Sequence, residues 1–114
     1  MHVPVADRPL TDVEIRELRS RLVDQRALLD DQMLRATTAL DQLRATSDVS
    51  DPSVQQPLMS ALRLLDSAER ESAEVLDALT RLADGRYGRC DSCGGQIPAS
   101  VLFERPLART CGRS

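Results

Sequence analysis

The sequence predicts a mainly α protein, an antiparallel two-helix coiled coil carrying a small cysteine-bearing knob at its C-terminal end. Three observations predict it: two long stretches with apolar residues at alternating steps of three and four, a cluster of turn formers between them, and an abrupt change of composition near Gly85. The chain has 114 residues, 41% of them hydrophobic, with one Tyr, one Phe and no Trp. That is enough for one domain, but it offers few large side chains for a deep interior.

Pro4 and Pro9 keep residues 1–10 irregular, and Thr11 followed three residues later by Glu14 is a capping-box pattern that predicts a helix start near Thr11. From there Ile15, Leu18, Leu22, Gln25, Leu29, Gln32, Ala36, Ala39 and Leu43 form a predicted seam. Residues 47–57, from Ser47 through Pro52 and closed by Pro57, gather turn formers and predict the tip of the hairpin. Beyond it Leu58, Ala61, Leu65, Ala68, Ser72, Val75, Leu79 and Leu82 form a second seam, and Asp84-Gly85 predicts a left-handed stop. Two striped helices on a short linker hide their stripes most simply against each other, so residues 11–84 read as a monomeric hairpin. At about 1.5 Å per residue, 26 residues give a rod of roughly 39 Å. Met33 and Met59, beside the seams, read as packing.

Segment 85–114 differs in kind, holding all three cysteines, the Tyr and the Phe. Cys90 and Cys93 form a CxxC, and 17 residues separate it from Cys111. This spacing falls within that of a four-cysteine zinc ribbon, which makes the knob zinc-finger-like. Gly94 and Gly95 free the backbone to curl behind the CxxC. The fourth ligand position holds Ser114, a poor zinc ligand whose hydroxyl stays protonated; its terminal carboxylate, or water, is the candidate to complete a tetrahedron. The alternative is a metal-free knob in which Tyr87, Ile97, Leu102 and Phe103 pack unaided.

Composition narrows the function. Net charge is −3 and all 15 basic residues are Arg, which describes solvated helices and no broad basic surface; Arg86, Arg89, Arg105, Arg109 and Arg113 are interspersed with apolar and acidic residues. Direct sequence-specific DNA binding is not expected. No apolar run reaches a bilayer span and the first ten residues lack signal-peptide order, so the expectation is a cytoplasmic protein without membrane attachment. His2 reads as exposed, and Asp30-Asp31 as solvated helix surface, since adjacent helical positions point apart. With no phosphate loop, nucleophile elbow or His–carboxylate set, the chain is not expected to be an enzyme.

The run Gly85-Arg86-Tyr87-Gly88-Arg89-Cys90-Asp91-Ser92-Cys93-Gly94-Gly95-Gln96-Ile97-Pro98, followed by Leu102-Phe103-Glu104-Arg105-Pro106 and Cys111, resembles the zinc finger of the bacterial DksA/TraR family. The linker Asp48-Val49-Ser50-Asp51-Pro52-Ser53 resembles that family's acidic tip, Asp-x-x-Asp-x-Ala, with Ser53 in place of Ala. The resemblance implies a transcription regulator that binds RNA polymerase. Its knob would dock at the rim of the secondary channel, and Asp48, Asp51 and Ser53 would be placed near the catalytic centre to modulate initiation. It implies zinc on Cys90, Cys93 and Cys111, with Ser114 where the family has its fourth Cys. Longer members use basic side chains on the second helix for the alarmone ppGpp; Ser67, Glu69, Glu71 and Glu74 here speak against a ppGpp-linked response, Arg63 and Arg70 notwithstanding. The competing reading is a small zinc-ribbon coiled-coil adaptor for another protein or for DNA.

Overall fold

Three helices organise the protein in a computed structural model that describes residues 10–110: α1 (Asp12–Thr46), α2 (Pro52–Asp84) and the short α3 (Ala99–Glu104). The first nine residues and 111–114 lie outside the described residues, and with them His2, Pro4, Pro9, Cys111, Arg113 and Ser114. No described helix is long and apolar enough to cross a membrane.

The ends of the long helices follow from local chemistry. The Glu14 amide donates to Thr11 Oγ1 at 3.2 Å and the Thr11 amide to Glu14 Oε1 at 3.0 Å, so the expected capping box forms and satisfies two N-terminal donors reciprocally. α2 stops at Gly85, whose φ of +74° is the left-handed turn anticipated there. The Arg86 and Tyr87 amides then reach back to the Arg81 carbonyl at 2.8 and 3.1 Å, covering a carbonyl the helix would otherwise leave open.

The turn is shorter than the 47–57 expected. α2 begins at Pro52 and carries Pro57 within it, so only residues 47–51 link the helices. Asp51 supplies an N-cap and Pro52 takes the first helical position, where a missing amide proton costs nothing and a fixed φ suits the helix. Ser53 therefore belongs to the first turn of α2 and not to the linker.

Two compact units divide the described residues: 25–73 form one, and 10–24 together with 74–110 the other. In the first, α1 and α2 run antiparallel across the 47–51 turn, and Gln25 Nε2 donates to Glu71 Oε2 at 2.9 Å near the open end. Its core is Leu29, Ala36 and Leu40 from α1 with Val54, Ala61 and Ala68 from α2. The second seam is as expected, each of its eight residues being buried or half-buried, and Val54 extends it one turn towards the tip. The first seam needs a correction: Gln32 is exposed, while Met33 is half-buried and Leu40 buried. The steps Gln25 to Leu29 to Met33 are two fours in succession, a stutter that moves the stripe by one position where a strict heptad would have chosen Gln32. Met59 is a second correction, being 45% exposed.

In the other unit Leu18, Leu22, Val75 and Ala78 are closed to solvent, as are Ile97 and Leu102 of the knob. A single antiparallel bridge, Arg89 to Gln96, and the short α3 are the only regular elements among the described residues 85–110. Gly88 takes φ +88°, a conformation that strains other residues, and a Cβ there would meet Gln96 Nε2 at 2.9 Å, so the Gln96 amide would have to shift. Tyr87 donates its hydroxyl to the Pro106 carbonyl at 2.7 Å, and Arg21 of α1 donates to the Phe103 carbonyl at 2.6 Å while lying over the Phe103 ring at 5.2 Å.

Candidate functional site

Residues 47–51 and the first turn of α2 repeat one small motif, Asp-x-Ser. The Ser50 amide and hydroxyl both donate to Asp48 Oδ1, at 2.9 and 2.7 Å; three residues later the Ser53 amide and hydroxyl both donate to Asp51 Oδ1, each at 2.9 Å. The backbone repeats the period, Asp51 N to Asp48 O at 2.9 Å and Val54 N to Asp51 O at 3.0 Å. Gln55 Nε2 fastens the loop from the side, donating to the Val49 carbonyl at 2.5 Å.

This bonding fixes the state of both acids. The Ser50 hydroxyl, and after it the Ser50 amide, hold the Asp48 carboxyl below its ordinary value of 3.8. For Asp51 the Ser53 amide comes first and the Ser53 hydroxyl second, with the same direction. Both side chains are fully exposed. The tip thus presents two ionised carboxylates, each held through one oxygen, with Oδ2 of each left without a protein donor among the described residues. Such a pair suits cationic side chains or helix amides of a partner. Asp48, Asp51 and Ser53 lie together here, Ser53 in the first turn of α2. Ser50 was not singled out, although the doubled Asp-x-Ser was the signal for it.

The cysteine turn lies in the other unit. The Cys90 amide donates to the Gly95 carbonyl at 2.8 Å and the Gly94 amide to the Cys90 carbonyl at 2.9 Å, curling the chain tightly behind the CxxC. Gly94 takes φ +73°, open to glycine and strained for other residues. A Cβ on Gly95 would stand 3.4 Å from Cys93 Sγ, in van der Waals contact with the thiol. Cys90 is buried and Cys93 exposed. The curl and the flanking glycines fit the two-thiolate half of a zinc site. Among the described residues no third His, Cys, Asp or Glu joins them, and Cys111 and Ser114 lie outside those residues. Asp91, between the two thiols in sequence, is engaged elsewhere, with Arg109 Nε at 3.0 Å.

No family model and no curated protein matches the chain. Among solved structures it is similar to the transcription factor DksA2 from Pseudomonas aeruginosa, with 31% identity and a TM-score of 0.79 over 88% of this chain and 78% of that one.

Proposed function

The chain belongs to the DksA family, and from that premise we propose that it regulates transcription by binding RNA polymerase and presenting its acidic tip within the secondary channel. The likeness to DksA2 over most of both chains carries the reading; the ionised, exposed Asp48 and Asp51 supply its chemistry. The protein acts by binding and not by catalysis. Affinity comes from the broad surfaces of the helices and knob, while the two carboxylates bias one conformation of the enzyme over another through charge-assisted contacts.

Replacing Asp48 and Asp51 together with Asn tests this division. Asn keeps the Oδ1 acceptor and is itself a good N-cap, so the Ser50 and Ser53 hydrogen bonds and the start of α2 survive while the charge is lost. The expected result is near-normal polymerase binding with the effect on open-complex lifetime reduced about tenfold or more. A double variant that regulates as well as the wild type overturns the tip assignment and favours an adaptor role.

Zinc in this reading is held by Cys90, Cys93 and Cys111, with Ser114 at the fourth position. Held there, zinc would cross-link the CxxC turn to Cys111. An oxygen in place of one thiolate weakens the site, so Ser114→Cys is expected to slow zinc loss to a chelator. Elemental analysis finding no zinc in either protein, purified under reducing conditions, removes the metal from the account.

A further inference from the structure

Four charged side chains from three segments of one unit meet beside the cysteine turn. Asp77 and Arg81 come from the last turns of α2, Asp91 from within the CxxC, and Arg109 from the segment leading to Cys111. Asp77 Oδ2 takes Arg81 Nε at 3.0 Å and Arg109 Nη1 at 3.7 Å, while Arg109 Nε approaches Asp91 Oδ2 at 3.0 Å. Arg109 and Asp91 are joined a second time through the backbone, the Asp91 amide donating to the Arg109 carbonyl at 2.8 Å.

The members are not equivalent. Side chains of Asp77, Asp91 and Arg109 are 42%, 55% and 53% exposed, so an isolated pair among them contributes little stability. Their effect is on register, since a slip of one residue before Cys111 breaks the backbone bond and both Arg109 ion pairs at once. Arg81 is the buried anchor: 6% exposed, over the Tyr87 ring at 5.8 Å, with Nη1 lacking a hydrogen-bond partner among the described residues. A charge desolvated to that degree leans on its one carboxylate, which keeps Asp77 in place for Arg109.

We propose that Arg81, Asp77, Arg109 and Asp91 form a metal-independent clamp that holds the CxxC turn and the segment leading to Cys111 in register, making Asp77, Arg109 and Asp91 positioning residues for the cysteines. Cys111 follows Arg109 by two residues in the sequence. The surrounding core, Ile97, Leu102, Ala99 and Tyr87 with its bond to Pro106, is closed by apolar side chains and one hydrogen bond. Metal loading is then a local event on a folded knob, unlike zinc fingers that fold only when loaded. The role towards the cysteines rests on the thiolate site proposed above; the clamp itself is judged separately.

The test uses the full chain, reduced and stripped with a chelator, with iodoacetamide as the thiol probe and peptide mass spectrometry reading Cys90. In the wild type, stripping leaves Cys90 slow to alkylate and the near-ultraviolet signal of Tyr87 unchanged. Arg109→Ala speeds Cys90 alkylation of stripped protein about tenfold, and Arg109→Lys restores most of the protection. Asp77→Asn acts in the same direction, and adding it to Arg109→Ala accelerates alkylation no further, the mark of a shared unit. With zinc ion alone added back, Arg109→Ala retains it less well than the wild type. The proposal is overturned if stripping the wild type exposes Cys90 and erases the Tyr87 signal, or if Arg109→Ala leaves the alkylation rate unchanged. Should the wild type take up no zinc, the thiolate site falls while the Cys90 rates still decide the clamp.

Discussion

Tyr87 is the single tyrosine of the chain and the residue through which the knob reports on itself. It is 8% exposed, its hydroxyl is bonded to the Pro106 carbonyl, and burial pushes its pKa from 10.0 up to about 12, the Arg81 charge pulling the other way. Because the folded pKa is raised, the stability linked to this group is fully present below pH 10 and is lost as pH rises towards 12. Absorbance of phenolate follows this one residue without interference, and the expected midpoint is about 12. A midpoint near 10 in folded protein contradicts the burial. Asp48 and Asp51 show the opposite sign: their folded values are lowered, so their local bonds persist above 3.8 and are lost only as pH falls through the lower folded values.

Among the elements, α2 carries the most informative irregularity. Pro57 sits inside the helix, where it has no amide proton to offer the Ser53 carbonyl four residues back. The helix tolerates it close to an N-terminus that Asp51 and Pro52 already define, on the exposed face between the buried Val54 and Ala61. Pro57→Ala therefore restores a helical hydrogen bond and is expected to stabilise the protein by about 1–3 kcal/mol, read as a higher urea midpoint. An unchanged or lower midpoint shows that the proline already stiffens the turn enough to offset the lost bond. The partner helix has a different irregularity, the stutter at Leu29 and Met33, which exchanges Gln32 for a better apolar contact.

For the whole molecule, the core among the described residues is built mainly from small and aliphatic side chains, Tyr87 apart, with Leu18, Leu22, Val75, Ile97 and Leu102 the largest that are fully closed. A core of that kind leaves little reserve, so Leu22→Ala, which empties a fully closed site, is expected to cost about 2–5 kcal/mol. That is a large share of a stability near the usual 5–15 kcal/mol, and thermal unfolding followed by circular dichroism measures it.

Much of the fold was legible because it rests on short-range chemistry. Thr11 and Glu14 cap α1, Gly85 ends α2, and the second seam reads correctly from Leu58 to Leu82, since each depends on residues within a turn or two of one another. The tip acids and the first two cysteines were legible for the same reason, as compact motifs with fixed spacing. The sequence misled where a neighbour decides: Gln32 and Met33 both continue an acceptable three-four pattern, and only packing against α2 selects Met33. At Pro57 a breaker was overridden by a helix that had already begun at Pro52. The clamp shows the same boundary within one network. Asp77 and Arg81 stand one helical turn apart and are visible as a pair in the sequence, but nothing local joins them to Asp91 or Arg109. That meeting follows from how the knob folds onto α2, because an ion pair between distant residues is set by the backbone that carries them and leaves no period in the chain.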